Sequence, residues 1–309
     1  MAENFYSPTE ESWLKKAKAL DEILVRQQDL SVIDTCTASS VVLHADQITL
    51  DSDIQGQENL KGYYKAYFDR YDYKHRFLTS ALCAQSRSVF LLSVDENIVP
   101  KANAFPQLDH KQSAPSTAYG VWKYDFGENN LVEGIWFLRQ LSRDEISRKL
   151  VADSLDYDSY KITPWDMRAR GPTANVPLVK KVMDSASTYS KIWETGNIES
   201  TDDIMVEDVT EVNMLFGGKF EGRDKFKAMI KGVYESWKPT KSHHVMGITG
   251  DGDKCFLFWS QEGEQTDKGL NSCIFGLNLF ICNEEGKITE ILGFRQPLTS
   301  ERSKILKNP

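Results

Sequence analysis

The segment Phe220-Glu-Gly-Arg-Asp-Lys-Phe-Lys227 decides the fold, because it repeats the pattern of Ile54-Gln-Gly-Gln-Glu-Asn-Leu-Lys61. In both segments a glycine opens a run with helical spacing, and the second glycine follows the first by 166 residues. Further on, Ile291-Leu-Gly-Phe-Arg-Gln-Pro297 repeats Ile135-Trp-Phe-Leu-Arg-Gln-Leu141 at a spacing of 156 residues. The shared order predicts one module present twice, with a ten-residue difference that falls near Pro100–Pro115 in the first copy.

The composition limits the classes of protein to which the chain can belong. Its 309 residues suffice for about two domains, and the 40% of hydrophobic residues can build two cores. A net charge of −8 argues against nucleic acid as a partner, because binding to nucleic acid needs a basic protein surface. It also argues against binding to an anionic membrane surface. No apolar run approaches the ~20 residues of a membrane span, and the N-terminus lacks the features of a secretory signal. We therefore expect a cytoplasmic protein without a membrane span or a nucleic-acid partner.

The cysteines and the known cofactor motifs argue for simple chemistry. The chain has five cysteines, an odd number without C-x-x-C spacing, which is typical of reduced thiols in a cytosolic protein. We expect no structural zinc site and no other metal site. A Gly-rich phosphate loop and a G-x-S-x-G nucleophile elbow are also missing from the sequence. The sequence therefore disfavours nucleotide-driven chemistry and a serine nucleophile, and no cofactor is expected.

Each copy predicts two helices followed by antiparallel strands. In the first copy, Ser7-Pro8-Thr9-Glu10 has the pattern of a capped helix start, and a second helix is predicted over Gln57–Tyr71. The strand candidates of this copy are His75–Cys83, Ser88–Val94, Ala118–Phe126 and Leu131–Leu141. In the second copy, a helix over Val176–Thr195 precedes candidates at Val209–Phe216, His243–Thr249, Lys254–Glu262, Ser272–Cys282 and Lys287–Leu292.

This pattern predicts the α+β class, with helices on one face of an antiparallel sheet. We expect domains over residues 1–150 and 177–309, joined by a linker over 151–176 that holds several prolines. A strongly bent sheet would wrap around the helices and leave a conical pocket.

The order of these parts resembles that of NTF2-like domains, which include the SnoaL-like polyketide cyclases, ketosteroid isomerases and scytalone dehydratases. The matching residues are Thr195-Gly-Asn-Ile198, Glu207–Asn213, Phe220-Glu-Gly222 and Glu284–Ile291, and the match covers most of Leu178–Pro297. In the first copy, Gln28–Leu30, Ser40–His44 and Ile54–Gly56 fill the same slots more loosely. The resemblance implies two tandem cone-shaped domains, packed as an intramolecular pseudo-dimer, and it also allows a homodimer.

The resemblance carries over to individual residues only in part. Ketosteroid isomerases use a catalytic carboxylate, a pocket tyrosine and a protonated carboxylic acid. In the first copy, the slots of the carboxylate, the tyrosine and the acid hold His44, Asp21 and Trp122. In the second copy, the same three slots hold Asn213, Tyr189 and Asn278. The isomerase constellation is therefore absent as a set, because Asn213 cannot act as a base.

Three residues are candidates for catalysis. His44 suits proton transfer near neutral pH, and Asp46 lies two residues on, where it would share the strand face. The alternative is a solvated strand end, because Ala45-Asp46-Gln47 is loop-like. In the second copy, Glu211 lies beside Asn213, and burial would raise its pKa and suit it to acid–base work.

Further residues are candidates for substrate binding. His75 and His243 stand near the heads of matching strands, where they could line a pocket or serve as structural hydrogen-bond partners. Arg139 and Arg295 end the last strands, and each could clamp an oxyanion or form a salt bridge. The numerous aromatic residues are typical of a core, and those that face a pocket would favour a flat apolar ligand.

Two functions follow from these observations. The first is a cofactor-free lyase, isomerase or cyclase that acts on a small apolar metabolite by acid–base catalysis, with tyrosine or asparagine donors holding the oxyanion. The second is a non-catalytic protein that binds a hydrophobic ligand or serves as a scaffold, which the asparagine at position 213 supports. A third arrangement leaves one copy active and the other structural.

Overall fold

The computed structural model describes residues 6–46, 50, 52–104, 116–140, 176–215, 218–249, 252–265 and 270–297. They belong to two compact units, unit 1 within Met1–Leu155 and unit 2 within Asp156–Leu298. Almost all of the linker predicted over 151–176, and most of the insert near Pro100–Pro115, lie outside the described residues.

Unit 1 begins with helices and continues into a six-stranded sheet. The helical part comprises α1 (Pro8–Ala19), a π-helical segment (Leu20–Arg26) and α2 (Ser31–Cys36). The remaining elements are β1 (Thr37–His44), β2 (Ile54–Gln55), α3 (Gln57–Arg70), β3 (Tyr71–Cys83), β4 (Ser88–Pro100), β5 (Ser116–Phe126) and β6 (Val132–Arg139). The predicted capping box is present, since Ser7 Oγ accepts the N–H of Glu10 and the Ser7 N–H donates to the Glu10 carboxylate.

Unit 2 repeats this arrangement. Its helices are α4 (Val176–Thr195), a 3-10 turn (Ile198–Ser200), α5 (Thr201–Ile204) and α6 (Arg223–Ser236). Its strands are β7 (Met205–Asn213), β8 (Gly218–Glu221), β9 (Trp237–Thr249), β10 (Lys254–Gln265), β11 (Leu270–Cys282) and β12 (Ile288–Arg295). The α+β class predicted from the sequence is confirmed in both units.

The strand order is the same in the two units. It is β2-β1-β6-β5-β4-β3 in unit 1 and β8-β7-β12-β11-β10-β9 in unit 2. Neighbouring strands are antiparallel except that β1 runs parallel to β6 and β7 runs parallel to β12. The sequence expectation of a wholly antiparallel sheet is therefore wrong at these pairs. Parallel neighbours need a long connection, and the chain between them includes α3 in one unit and α6 in the other.

The repeated glycine of the deciding segment has a structural reason. Gly56 and Gly222 have φ values of +83° and +93°, in the region that glycine adopts without the strain of a side chain. The N–H of Gly56 donates to the Val41 carbonyl over 2.7 Å, and that of Gly222 donates to the Val209 carbonyl over 2.8 Å. Each glycine therefore ties the start of α3 or α6 to the first strand of its own unit.

Each unit has its own hydrophobic core between its helices and one face of its sheet. In unit 1, Leu20 and Ile33 from the helical part pack with Leu43, Leu91 and Tyr124 from the strands. In unit 2, the core includes Val182, Ile192, Phe226, Phe280 and Ile291. The sheet face that turns toward the helices is therefore the one that can enclose a pocket.

Candidate functional site

Unit 1 contains a cavity of about 420 Å³, a size typical of small-molecule sites. It lies between α3 and the end of the sheet where β3 and β5 begin and β4 and β6 end. The wall is rich in aromatic side chains, contributed by Tyr63, Tyr64, Tyr67, Tyr71, Tyr119, Trp122 and Phe137. The polar side chains in the wall are Arg70, His75, Ser93, Asp95 and Arg139.

His75 and Asp95 form a hydrogen-bonded pair in the wall of this cavity. They lie opposite each other on β3 and β4, and His75 Nδ1 is 2.7 Å from Asp95 Oδ1. The second carboxylate oxygen of Asp95 accepts the hydroxyl of Tyr67 over 3.2 Å. Because an ionised carboxylate has about four lone-pair sites, Asp95 keeps acceptor capacity for a proton from the cavity. Its side chain is 20% exposed, whereas that of His75 is 2% exposed.

Asp21 lies on the other side of the His75 ring. It belongs to the π-helical segment Leu20–Arg26 and is completely buried. Its Oδ2 is 3.1 Å from His75 Nε2, which is ion-pair distance, but neither Asp21 oxygen accepts a well-aligned hydrogen bond within the described part of the chain. A buried carboxylate without hydrogen bonds is costly, so its main stabilising neighbour is the charge of His75.

The two carboxylates control the charge of His75. Burial alone lowers the pKa of this imidazole, but Asp21 and Asp95 outweigh that effect and raise the pKa to about 9. His75 is therefore protonated at neutral pH, and the cluster holds two carboxylates around one imidazolium.

Tyrosine hydroxyls and one guanidinium complete the polar wall. Burial raises the pKa of Tyr63 and Tyr67, further raised by Asp46 and Asp95 respectively, while the positive charge of Arg139 opposes both shifts. Both hydroxyls therefore remain protonated donors near neutral pH, and Arg139 lies close enough to act on them electrostatically.

Unit 2 carries a different polar cluster on the corresponding face. Asn278 Nδ2 donates to the hydroxyl of Tyr189 over 3.1 Å, and Trp259 Nε1 donates to Asn278 Oδ1 over 3.3 Å. A Cβ atom placed on Gly293 would lie 3.6 Å from both Asn278 Oδ1 and Glu211 Oε1. The structure therefore brings Glu211, Tyr189 and Asn278 together, three residues singled out from the sequence.

Glu211 has the environment of a neutral acid. Burial raises its pKa to about 8, although Arg295 opposes the shift. Its Oε2 is buried without a hydrogen-bond partner among the residues that the structure describes. The carboxyl group is therefore largely protonated at pH 7 and has an O–H to donate.

The other catalytic candidates of unit 1, His44 and Asp46, do not line the cavity. The His44 ring stacks on Trp136 at 3.7 Å, and its Nδ1 is 3.1 Å from Asp53. Burial lowers its pKa, and Asp53 opposes that shift. Asp46 is buried and accepts the N–H of Leu50 over 3.0 Å.

The strand register explains the position of His44. Leu43 pairs with Ile135 and Glu211 pairs with Ile291, so Leu43 is the counterpart of Glu211 in the repeat. His44 is one residue further and faces the opposite side of the sheet, because successive side chains alternate. The sequence comparison that aligned His44 with Asn213 is therefore displaced by one residue.

The remaining binding candidates divide between the two units. His75, Trp122 and Arg139 share the unit 1 cavity. His243 is exposed on β9. Counted from the first residue of each strand, His243 lies two residues further along β9 than His75 lies along β3, so the two histidines are not equivalent. In unit 2, the Asn213 side chain caps the N–H of Leu215 over 3.1 Å, and Arg295 donates to the Gln296 carbonyl over 3.0 Å.

Sequence reasoning missed Asp95, Tyr67 and Ser93 as functional residues. The predicted strand ended at Val94, whereas β4 continues to Pro100. The available signal was alternation, since Leu91, Ser93 and Asp95 share one strand face. Tyr67 belongs to the numerous aromatic residues that the sequence predicts as core. No cluster of three or more potential metal ligands is present in the described ranges, and none of the helices they contain is long and apolar enough to cross a membrane.

Comparison with known proteins gives one family match. The profile of the SnoaL-like domain family matches residues 186–291. A search of curated proteins gave no match.

Several solved structures are similar to one part of the chain. A polyketide cyclase described as putative, from Xanthomonas campestris pv. campestris, is 17% identical with a TM-score of 0.36, and the match covers 41% of this chain and 98% of that chain. An LEH-like epoxide hydrolase from M. tuberculosis is 12% identical with a TM-score of 0.33, and the match covers 41% of this chain and 90% of that chain. A steroid delta-isomerase from Pseudomonas aeruginosa is 9% identical with a TM-score of 0.33, and the match covers 41% of this chain and 87% of that chain.

Proposed function

We propose that this chain, whose residues 186–291 match the SnoaL-like domain family, is a cofactor-independent acid–base catalyst whose reaction takes place in the unit 1 cavity. The substrate is a small, largely apolar metabolite with a carbonyl group, and the reaction is an isomerisation, cyclisation or elimination. The observation that carries this proposal is the His75–Asp95 pair in the wall of an aromatic cavity of about 420 Å³.

Asp95 is the general base of the proposed reaction. It removes a proton from the carbon next to the substrate carbonyl, and the electron pair of the broken C–H bond moves into an enolate. The positive charge of His75 and the Tyr67 hydroxyl hold the carboxylate in place on its two oxygens. Return of the proton from Asp95 to another carbon gives an isomer, so atoms and charge balance without a cofactor.

The enolate oxygen needs hydrogen-bond donors or a positive charge. Tyr63 and Arg139 supply both from the cavity wall. The aromatic side chains around them exclude water, which strengthens these electrostatic interactions. Proton removal is thus assigned to Asp95, which His75 holds in place, and stabilisation of the enolate oxygen is assigned to Tyr63 and Arg139.

Proton exchange tests this proposal without knowledge of the natural substrate. In D₂O, the wild-type protein should accelerate deuterium incorporation next to the carbonyl of bicyclic ketones such as 2-tetralone, as followed by ¹H NMR. Asp95→Asn should reduce this acceleration by roughly 10²- to 10⁴-fold, the usual contribution of a general base. The matched control is Asp34→Asn on α2, which makes the same chemical change at an exposed position away from the cavity and should have no effect.

Binding separates catalysis from the alternative function. Saturation-transfer NMR should show that Asp95→Asn still binds the ketone, because the aromatic wall is unchanged. Wild-type protein that binds the ketones but never accelerates exchange would sink the catalytic proposal and favour a hydrophobic-ligand-binding protein.

A second site in unit 2 is favoured by the buried Oε2 of Glu211, which has no hydrogen-bond partner among the described residues and lies next to the Tyr189–Asn278 pair. We propose that Glu211 donates a proton or hydrogen bond to a ligand there. Native mass spectrometry should then show two ligands per chain, and Glu211→Gln should remove one of them. A single ligand whose binding is unaffected by this substitution would refute the second site.

A further inference from the structure

We propose that the substrate of the unit 1 cavity is an amphipathic acid, whose carboxylate lies against Arg70 at the mouth while its apolar body fills the interior. This inference rests on the proposed function, because it names the substrate class of the same site. It follows from the position of one arginine between an apolar cavity and a polar surface.

The cavity adjoins a shallow depression on the surface of unit 1. The depression is lined by Ala66, Asp69, Arg70, Lys101, Asn103 and Ala104. Two of these residues, Ala66 and Arg70, also line the aromatic cavity. A ligand that passes from the interior to the surface therefore runs along the Arg70 side chain.

Arg70 differs from the other cations of its helix. Lys65 is 2.6 Å from Asp69, and Lys61 is 2.7 Å from Asp34. The Arg70 guanidinium makes no ion pair or hydrogen bond with any residue in the described part of the chain. A cation is favoured at the C-terminus of a helix by the helix dipole, but that effect does not require the side chain to line a cavity.

The fold itself does not require a cation at this position. Arg70 is the last residue of α3, and the last residue of α6 in unit 2 is Ser236. The next residue is aromatic in both units, Tyr71 and Trp237. The repeat thus keeps the helix end and the aromatic residue, while the charge at this position is present in unit 1 and absent from unit 2.

A second cation stands beside Arg70. The N–H of Lys101 donates to the Arg70 carbonyl over 2.8 Å, which places the two side chains on neighbouring backbone positions. Lys101 Nζ donates to the Phe68 carbonyl over 2.7 Å and is 3.4 Å from Asp72. Asp72 therefore offsets the charge of Lys101, and Arg70 is the cation of the depression that has no ion pair among the described residues.

The chemistry of the arginine selects the anion. A guanidinium presents parallel N–H donors that match both oxygens of a carboxylate. The interior next to it is lined by rings, which favour an aromatic or alicyclic body. A bicyclic carboxylic acid combines these features, and a neutral molecule with the same rings lacks the contact at the mouth.

The test compares two probes that differ only in charge, 2-naphthoate and 2-naphthamide. Their dissociation constants are measured by titration calorimetry with the full-length protein. Wild-type protein should prefer the carboxylate by roughly three- to tenfold, a modest factor because solvent screens an exposed charge pair. Arg70→Gln should abolish this preference by weakening naphthoate binding alone. The control Lys61→Gln, on the same helix but paired with Asp34 away from the depression, should keep the preference.

Three results would overturn the inference. They are equal affinity of wild-type protein for the two probes, no binding of naphthoate up to millimolar concentration, and equal weakening of both probes by Arg70→Gln. The test is independent of the catalytic proposal, because proton exchange by Asp95 is measured with neutral ketones. A protein with normal exchange and no preference for naphthoate would thus retain its proposed function and lose only this substrate class.

Discussion

Trp122 donates its indole N–H to the hydroxyl of Ser93 over 3.3 Å, and unit 2 makes the same cross-strand contact with the two positions exchanged. There, Trp259 donates its indole N–H to Asn278 Oδ1 over 3.3 Å. Ser93 corresponds to Trp259, and Trp122 corresponds to Asn278. The indole has therefore moved from one strand of the sheet to the next between the copies, and the hydrogen bond has been kept.

The strand register establishes these correspondences. Gly120 pairs with Ser93 on one side and with Arg139 on the other, while Gly276 pairs with Trp259 and with Arg295. A Cβ on Gly276 would lie 2.2 Å from the Trp259 ring, so that ring fills the space next to the glycine in unit 2. In unit 1 the small Ser93 stands at the position of Trp259, and a Cβ on Gly120 would lie 2.8 Å from the Phe137 ring instead. Ser93, Gly120 and Phe137 all belong to the cavity wall.

The different position of the indole in the two units predicts that the substitution Ser93→Trp fills the unit 1 cavity. The new indole would project from the same strand position as Trp259, into the cavity beside the Phe137 ring, so naphthamide binding should fall at least tenfold. Overpacking of a well-filled core costs about 1–3 kcal/mol, and the existing cavity should keep the cost at the low end. Calorimetry measures the binding, and urea denaturation measures the free energy of unfolding.

Ser93→Ala is the control for the lost hydroxyl. It removes the acceptor for Trp122, which should cost about 1 kcal/mol of stability, and it leaves the cavity open. Unchanged naphthamide binding by Ser93→Trp, in a protein that remains folded, would show that this position does not define the cavity.

Asp21 should set the pH range over which His75 stabilises unit 1. The pKa of His75 is raised from 6.5 to about 9, so the folded state binds the proton more tightly than the unfolded state. The resulting stabilisation, on the order of 3 kcal/mol, is fully present below pH 6.5 and is lost as the pH rises through about 9. Asp21→Asn removes one of the two carboxylates and should lower the pKa of His75, as measured by ¹⁵N NMR of the imidazole.

The same substitution should move the alkaline loss of stability to lower pH in urea denaturation. Glu22→Gln, the adjacent position in the π-helical segment, is the control and should leave the pH profile unchanged. An unchanged His75 titration in Asp21→Asn would mean that Asp95 alone holds the imidazolium, and Asp21 would then have no positioning role.

Replacement of the glycine that opens α6 should destabilise the protein, whereas replacement of a glycine within that helix should stabilise it. Gly222→Ala forces a side chain into a positive-φ conformation, at a cost of about 1–2 kcal/mol. Gly232→Ala has open space at its Cβ and replaces glycine in a helix, so it should stabilise by about 0.5–1 kcal/mol. Thermal denaturation measures both effects, and equal effects of the same sign would contradict this explanation of the repeat.

The architecture could be predicted from the sequence because its strongest signals are local. The turn at Gly56 and Gly222 depends on glycine alone, and the predicted helix over Gln57–Tyr71 differs from α3 by one residue. Strand pairing depends on contacts between distant segments. No local signal in the sequence therefore indicates the parallel pairs β1–β6 and β7–β12.

The candidate site could be predicted only in part, for the same reason. His75 and Arg139 are predicted from their strand positions and Trp122 from the family resemblance, and all three line one cavity. Asp95 was missed because a strand end has no sharp signal in the sequence, and this end was placed too early. His44 was misplaced because one residue of register moves a side chain to the opposite face of a sheet.

Glu211 should make unit 2 less stable as the pH rises. Its pKa is raised from 4.5 to about 8, so between these values the folded state keeps a proton that the unfolded state releases. The free energy of unfolding should therefore fall by up to about 1.4 kcal/mol per pH unit in this interval through this group alone. Glu211→Gln, which stays neutral, should remove this contribution and make the protein more stable than wild type above pH 8. Urea denaturation at several pH values measures the difference, and Glu207→Gln, exposed on the same strand, is the control. Parallel pH profiles for Glu211→Gln and wild type would show that Glu211 ionises normally and holds no proton for a ligand.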